Sequence, residues 1–138
     1  MKNANLKMQL EAFAQGKFIN SEGQEDSCFN FYDWFCKDTS LENKSKRLFA
    51  QTKKLVEKLN IDTEKYYVFF ANRCPMFGKL YDQLNIVNIE TGNVEYSLEP
   101  KNGHTGMTEL WIKGTTIKTN GLKELYKLDI PSAIALAV

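Results

Sequence analysis

The hydrophobic period of this chain changes near Asn60, and no other feature of the sequence restricts the fold as strongly. Between about residues 40 and 59, apolar side chains recur at the spacing of an amphipathic helix, with basic residues on its other faces. From residue 66 onward the pattern becomes that of strands, beginning with the aromatic and β-branched run at 66–70. The apolar face of the predicted helix consists of Leu41, Leu48, Phe49, Thr52, Leu55, Val56 and Leu59.

Local signals mark the ends of the predicted helices. Thr39 followed by Glu42 has the spacing of a capping box, in which the two side chains bind orphan backbone donors at a helix start. A first helix is predicted over about 4–15, and Gly16 is placed to end it. Helices therefore come first in the chain and strands afterwards.

The second half predicts a series of hairpins. Residues 80–89 and 94–99 flank a turn at Thr91-Gly92-Asn93, and residues 108–113 are followed by Gly114 and a segment that can pair back. A short closing helix begins near Gly121, and the apolar tail is expected to pack onto the core. The predicted fold class is α+β, with N-terminal helices, a mostly antiparallel sheet and a short C-terminal helix.

Length and composition fit one globular domain spanning 1–138. Hydrophobic residues make up 43% and charged residues 25%, which is the ordinary balance of such a domain. No apolar run approaches the roughly 18 residues of a membrane span, and the first residues lack the apolar stretch of a signal peptide. We therefore expect a cytoplasmic protein with no membrane partner.

Charges are segregated although the net charge is only +1. Residues 21–42 hold six acids and one base, whereas residues 43–59 hold six bases and one acid. The acidic stretch also contains five aromatic residues in seven positions, at 29–35. Segregated charge beside aromatic residues indicates a surface for a charge-complementary partner. The predicted contact residues are Asp26, Tyr32, Asp33, Trp34, Asp38, Lys44, Arg47, Lys54 and Lys58.

The cysteines and the single histidine do not predict a metal centre or a cofactor site. Three cysteines form an odd count with no CxxC pair. A zinc site would have to gather Cys28, Cys36, Cys74 and His104 from distant segments, whereas zinc sites usually take two ligands from one short knuckle. We expect reduced thiols, no metal and no cofactor.

Cys74 is the strongest candidate for chemistry. It follows the predicted strand and stands beside Arg73, a setting that can lower the pKa of a thiol. The stretch YYVFFANRCPMFGKLYDQL resembles the active-site strand and loop of thioredoxins and glutaredoxins, and Phe77 stands where a dithiol motif has its second cysteine. That resemblance implies a monothiol enzyme with Cys74 as the attacking thiol. His104 is a candidate base for other thiol chemistry.

A second resemblance points to binding instead of catalysis. The segments NFYDWFCKDTSLENKSKRL and CPM-x-G-x-LYD, with the GHTG loop, resemble small accessory proteins of T-even-like tailed phages. Such proteins bind and redirect a host enzyme or block a defence complex, which implies a host protein or nucleoprotein complex as partner. The leading hypothesis is therefore a non-catalytic, partner-binding protein of the host cytoplasm. Inhibition of a defence system such as CRISPR is one role that this hypothesis includes.

A third hypothesis is a small nucleic-acid-binding module. It would use the basic helix face for phosphates, together with Tyr66, Tyr67 or Trp111 as stacking platforms for bases. The sequence does not assign an oligomeric state.

Overall fold

The protein is an α+β fold in which helices cover one face of a six-stranded sheet. The structure, a computed structural model, describes residues 4–25, 31–33, 41–73, 81–102 and 105–137. The helices in these ranges are α1 (Leu6–Ala14), α2 (Leu41–Leu59), α3 (Leu122–Lys127) and α4 (Ile130–Ala137). The strands are β1 (Phe31–Asp33), β2 (Tyr66–Arg73), β3 (Tyr81–Asn88), β4 (Val94–Glu99), β5 (Thr108–Ile112) and β6 (Thr115–Thr119).

The strands lie in the sheet in the order in which they occur in the chain. From β2 to β6 every neighbouring pair is antiparallel, and only β1 pairs in parallel, with β2. This topology confirms the predicted α+β class with a mostly antiparallel sheet. It also means that residues one hairpin apart in the chain become neighbours across strands.

Turn chemistry fixes the register of two hairpins. Between β3 and β4, the backbone N–H of Gly92 donates to the Asn88 carbonyl oxygen at 2.8 Å. Between β5 and β6, Lys113 and Gly114 have φ values of +44° and +95°. Two consecutive residues in the left-handed region are typical of the tight turn that matches the twist of paired strands.

The core is a layer of apolar side chains between the sheet and the helices. Phe70, Leu84, Leu98, Leu110 and Ile117 stand side by side on successive strands. The Phe49 ring of α2 meets the Phe70 ring edge to face, with the centroids 5.3 Å apart. Leu6 of α1, Leu125 of α3 and Ile130 of α4 belong to the same buried cluster.

In addition to its apolar contacts, helix α1 is attached to the sheet by one polar side chain. Gln9 is fully buried, and its amide donates to the Val68 carbonyl oxygen at 3.0 Å and accepts from the Val68 N–H at 2.9 Å. The side chain thus satisfies a backbone position of β2 as a neighbouring strand would.

Most predicted elements are present with small changes of boundary. Helix α1 is shorter than the predicted 4–15, β2 is longer than 66–70, and the apolar tail forms α4 on the core. Thr39 of the predicted capping box lies outside the described residues. In the part of the chain that the structure describes, no helix has the length and apolar character needed to cross a membrane.

Candidate binding groove on the open face of the sheet

The helices pack on one face of the sheet, and the alternation of side chains along each strand defines the other, which we call the open face. Because successive strand residues point to opposite sides, the neighbours of the core-facing leucines lie on the open face. Asn85 follows Leu84, Ser97 precedes Leu98, and Trp111 follows Leu110. The open face therefore carries polar and aromatic side chains where the core face carries aliphatic ones.

A groove of about 370 Å³ lies on the open face across β3, β4, β5 and β6. Its volume is within the range of about 300–1,000 Å³ that is usual for small-ligand sites. Seven of its eight lining side chains can hydrogen-bond, and the eighth is aliphatic. The lining residues are Gln83, Asn85, Val94, Ser97, Glu99, Glu109, Trp111 and Thr116.

Cross-strand register brings four of these residues into one line, which we call the groove row. Asn85 pairs with Ser97, Ser97 with Trp111, and Trp111 with Thr116. With strands about 4.8 Å apart, the row is about 14 Å long. It places an amide, a hydroxyl, an indole and a second hydroxyl beside one another.

Asn85 is the most buried member of the groove row, with 6% of its surface exposed. Its side-chain oxygen accepts a hydrogen bond from the Ser97 hydroxyl at 2.8 Å. Within the part of the chain that the structure describes, the amide nitrogen of Asn85 makes no hydrogen bond. That nitrogen is not shut off from solvent, so water can bind it in the groove and a ligand can take the place of that water.

Two glutamates form one end of the groove and are held by a shared network. Glu99 and Glu109 are opposite each other on β4 and β5, where like charges repel. The Asn102 amide donates to both carboxylates, and its bond to Glu99 is 2.8 Å long. The Gln83 amide also donates to Glu99, at 2.9 Å, and the Lys118 ammonium lies 3.5 Å from Glu109. These contacts offset the repulsion and fix the orientation of Gln83.

A second carboxylate network, around Glu95 of β4, joins β2, β3 and the turn between β5 and β6. Glu95 is skipped in the pairing of β3 with β4, which makes it the extra residue of a β-bulge. Its carboxylate accepts from Lys113 at 2.9 Å, from Asn88 at 2.7 Å and from Tyr66 at 2.9 Å. The hydrogen bond from Lys113, followed by that from Asn88, holds the pKa of Glu95 below its usual value.

The same network changes the pKa values of its other members. The hydrogen bond to Glu95 raises the pKa of Lys113, and burial together with the Glu95 contact raises that of Tyr66. Tyr66 thus remains a neutral donor. Its ring is partly buried against the core and meets the Tyr96 ring edge to face.

The basic face of α2 is on the other side of the sheet from the groove. Arg47 lies 3.9 Å from Asp82, and the Lys54 ammonium lies 5.8 Å from the centre of the Tyr126 ring. Both cations have a contact within the protein and are nevertheless exposed, as are Lys53 and Lys58. Because α2 packs on the core face, its lysines and the Trp111 ring cannot form one continuous surface.

The remaining predicted contact residues cannot be placed in a site. For Tyr32 and Asp33 of β1 and Lys44 of α2, the structure gives the backbone position only. Asp26, Trp34, Asp38, Cys74 and His104 lie outside the described residues. Among the residues that are described, no group of three or more His, Cys, Asp or Glu side chains is arranged to hold a metal ion.

Of the groove residues, the sequence identified only Trp111 as a candidate. The polar members sit at alternate positions of strands whose other positions are apolar, and that alternation was the available signal. Comparison of the chain with protein-family models, with curated proteins and with solved structures gives no match.

Proposed function

We propose that this chain is a non-catalytic binding protein whose recognition surface is the groove on the open face of the sheet. The observation that supports it is the groove row, in which the Asn85 amide has unfilled hydrogen-bonding capacity and the Trp111 ring lies two strands away, beyond Ser97. Ligand sites typically combine an apolar surface with a few fixed polar groups. The groove row has this combination on four adjacent strands, which keep its spacing rigid.

The two groove glutamates favour binding over acid–base catalysis. Both oxygens of Glu99 accept amide hydrogen bonds, and the oxygens of Glu109 meet Asn102 and Lys118. A general acid or base needs a carboxyl oxygen within reach of the substrate. Because these oxygens are engaged inside the protein, the glutamates serve to position Gln83 and Asn102.

The wider role that we propose is that of an accessory protein that occupies a site on a host protein or nucleoprotein complex. The resemblance to phage accessory proteins supports this role, and an inhibitor needs only a rigid complementary surface. The exposed lysines of α2 offer a second docking surface for an acidic partner, on the opposite side of the molecule. Lys53 and Lys58 are the cations of that surface to test.

Calorimetric titration with four probes tests the location of the binding surface. The probes are a neutral oligosaccharide, a single-stranded oligothymidylate, an oligo-glutamate peptide and an oligo-lysine peptide. We expect at least one probe to bind, with an affinity about tenfold lower in Trp111→Ala and within about twofold of wild type in the double variant Lys53→Glu, Lys58→Glu.

The opposite pattern, with binding lost in the lysine variant and kept in Trp111→Ala, would contradict the proposal.

The same titration separates the thiol-enzyme alternative, because Cys74→Ser is expected to keep the wild-type affinity. An alkylation rate of Cys74 that follows an ordinary thiol titration, near pH 8.5, is the matching chemical result.

A further inference from the structure

We propose that the groove binds a neutral oligosaccharide, with one sugar ring stacked on Trp111 beside Thr116 and hydroxyl groups of a further ring bound by Asn85 and Gln83. This assignment rests on the proposed binding function and names its ligand class. Three properties of the groove support it: the Asn85 amide has an end with no partner among the described residues, the only charges in the lining are two carboxylates, and Trp111 supplies an aromatic surface.

The end of the Asn85 amide that has no partner in the described part of the protein favours a ligand with a hydroxyl group. The nitrogen and oxygen of an amide are assigned from the hydrogen-bond network, so either end of Asn85 can be the one that faces the ligand. A hydroxyl both donates and accepts, and it satisfies the amide in either orientation. Asn85 lines the groove and its amide nitrogen is open to solvent, so a ligand hydroxyl takes the place of water there.

The charges of the groove select a neutral ligand. Its lining contains two carboxylates and no cation, and the Lys118 ammonium next to it contacts Glu109. A phosphate or a carboxylate ligand would meet this negative end of the groove and be repelled. A cationic ligand would have to displace Asn102 or Lys118 from carboxylate oxygens that they occupy.

The Trp111 ring supplies the apolar surface that a sugar ring needs. The face of an aromatic ring carries partial negative charge, which attracts the C–H groups on one side of a pyranose. Ser97 and Thr116 lie on either side of Trp111 in the groove row. Their hydroxyls flank that ring, whereas Asn85 and Gln83 lie on β3, two strands away, where a further ring of an oligosaccharide would lie.

Titration calorimetry with cellotetraose and maltotetraose tests the assignment, since the row of about 14 Å is longer than one ring. We expect one of them to bind, with about a tenfold loss of affinity in Trp111→Ala and about a fivefold loss in Asn85→Ala. The matched control is Asn93→Ala, at an exposed turn position remote from the groove row, which should keep the wild-type affinity. Thermal unfolding of each variant verifies that it is folded.

Salt dependence provides an independent readout. Binding of a neutral sugar should not change between about 50 and 200 mM salt, whereas nucleic-acid binding weakens steeply over that range. Failure of both tetrasaccharides to bind, or binding unaffected by the Trp111 and Asn85 variants, would overturn the saccharide assignment. If oligothymidylate or a peptide bound instead and required Trp111, the proposed binding function would stand and only the ligand class would be wrong.

Discussion

At the scale of single residues, Glu95 organises more of the sheet than any groove residue does. Its side chain is 15% exposed and accepts hydrogen bonds from β2, from β3 and from the turn between β5 and β6. Its carbonyl oxygen also accepts from the Lys113 N–H at 3.0 Å, which helps to hold Lys113 in its left-handed conformation. One bulged residue thus connects β2, β3 and the turn between β5 and β6 to its own strand, β4.

Replacing Glu95 by glutamine is expected to destabilise the fold. The neutral amide accepts more weakly than a carboxylate, and its NH₂ group faces donors instead of acceptors. We expect Glu95→Gln to lower the free energy of unfolding by about 1–2 kcal/mol, measured by urea denaturation at neutral pH. The ion pair with the largely exposed Lys113 is expected to add little to this cost.

The stability lost in Glu95→Gln should decrease as the pH falls. Folding lowers the pKa of Glu95 from its usual 4.5, so its ionised form stabilises the native state above that pH. The contribution disappears as the pH falls from 4.5 through the lower folded-state pKa. The difference between wild type and variant should therefore shrink in acid. Glu90→Gln, at an exposed turn position, is the control, and an equal acid dependence in both variants would contradict the role of Glu95.

At the scale of elements, α1 packs on the core through apolar side chains and makes one buried side-chain hydrogen-bonding contact with β2. Gln9 satisfies both backbone groups of Val68, a fully buried residue of β2. The contact fixes how far along β2 the helix sits.

Gln9→Ala is expected to cost about 2–4 kcal/mol of stability, because it leaves a buried N–H and a buried carbonyl without partners. Urea denaturation measures the loss, and amide exchange at Val68 locates it. Gln15→Ala, at the exposed end of α1, should change stability by less than about 0.5 kcal/mol. An equal and small effect of the two variants would show that water replaces Gln9 at Val68.

Elements that rest on local signals could be predicted from the sequence, and contacts between distant elements could not. Helix α2 follows from its apolar period, and the β3–β4 hairpin from alternation around Thr91-Gly92-Asn93. The groove row needs the strand order and the register, which bring Asn85 next to Ser97 and Ser97 next to Trp111. The pairing of Gln9 with Val68 spans 59 positions and has no local signature.

The basic helix shows the same distinction. The positions of its charges could be predicted from the sequence, but the contacts that these side chains make within the protein could not. Arg47 lies near Asp82, and Lys54 lies near the Tyr126 ring, only because β3 and α3 pack beside α2. Both cations stay exposed, so these contacts orient the basic side chains without removing them from the surface.

At the scale of the whole molecule, the sheet separates two surfaces with different chemistry. The helices and the exposed lysines of α2 lie on the core side, and the groove lies on the open face. A ligand on one surface cannot contact the other. The central claim is that recognition occurs on the open face, with the sheet as a rigid support.

The most direct test is to map the bound probe on the protein by amide and indole chemical shifts. A ¹⁵N-labelled sample titrated with cellotetraose, or with whichever of the four probes binds, identifies the residues in contact. The account predicts shifts at Asn85, Ser97, Thr116 and the indole N–H of Trp111, with those of α2 unchanged. Shifts confined to α2, around Lys53 and Lys58, would contradict it.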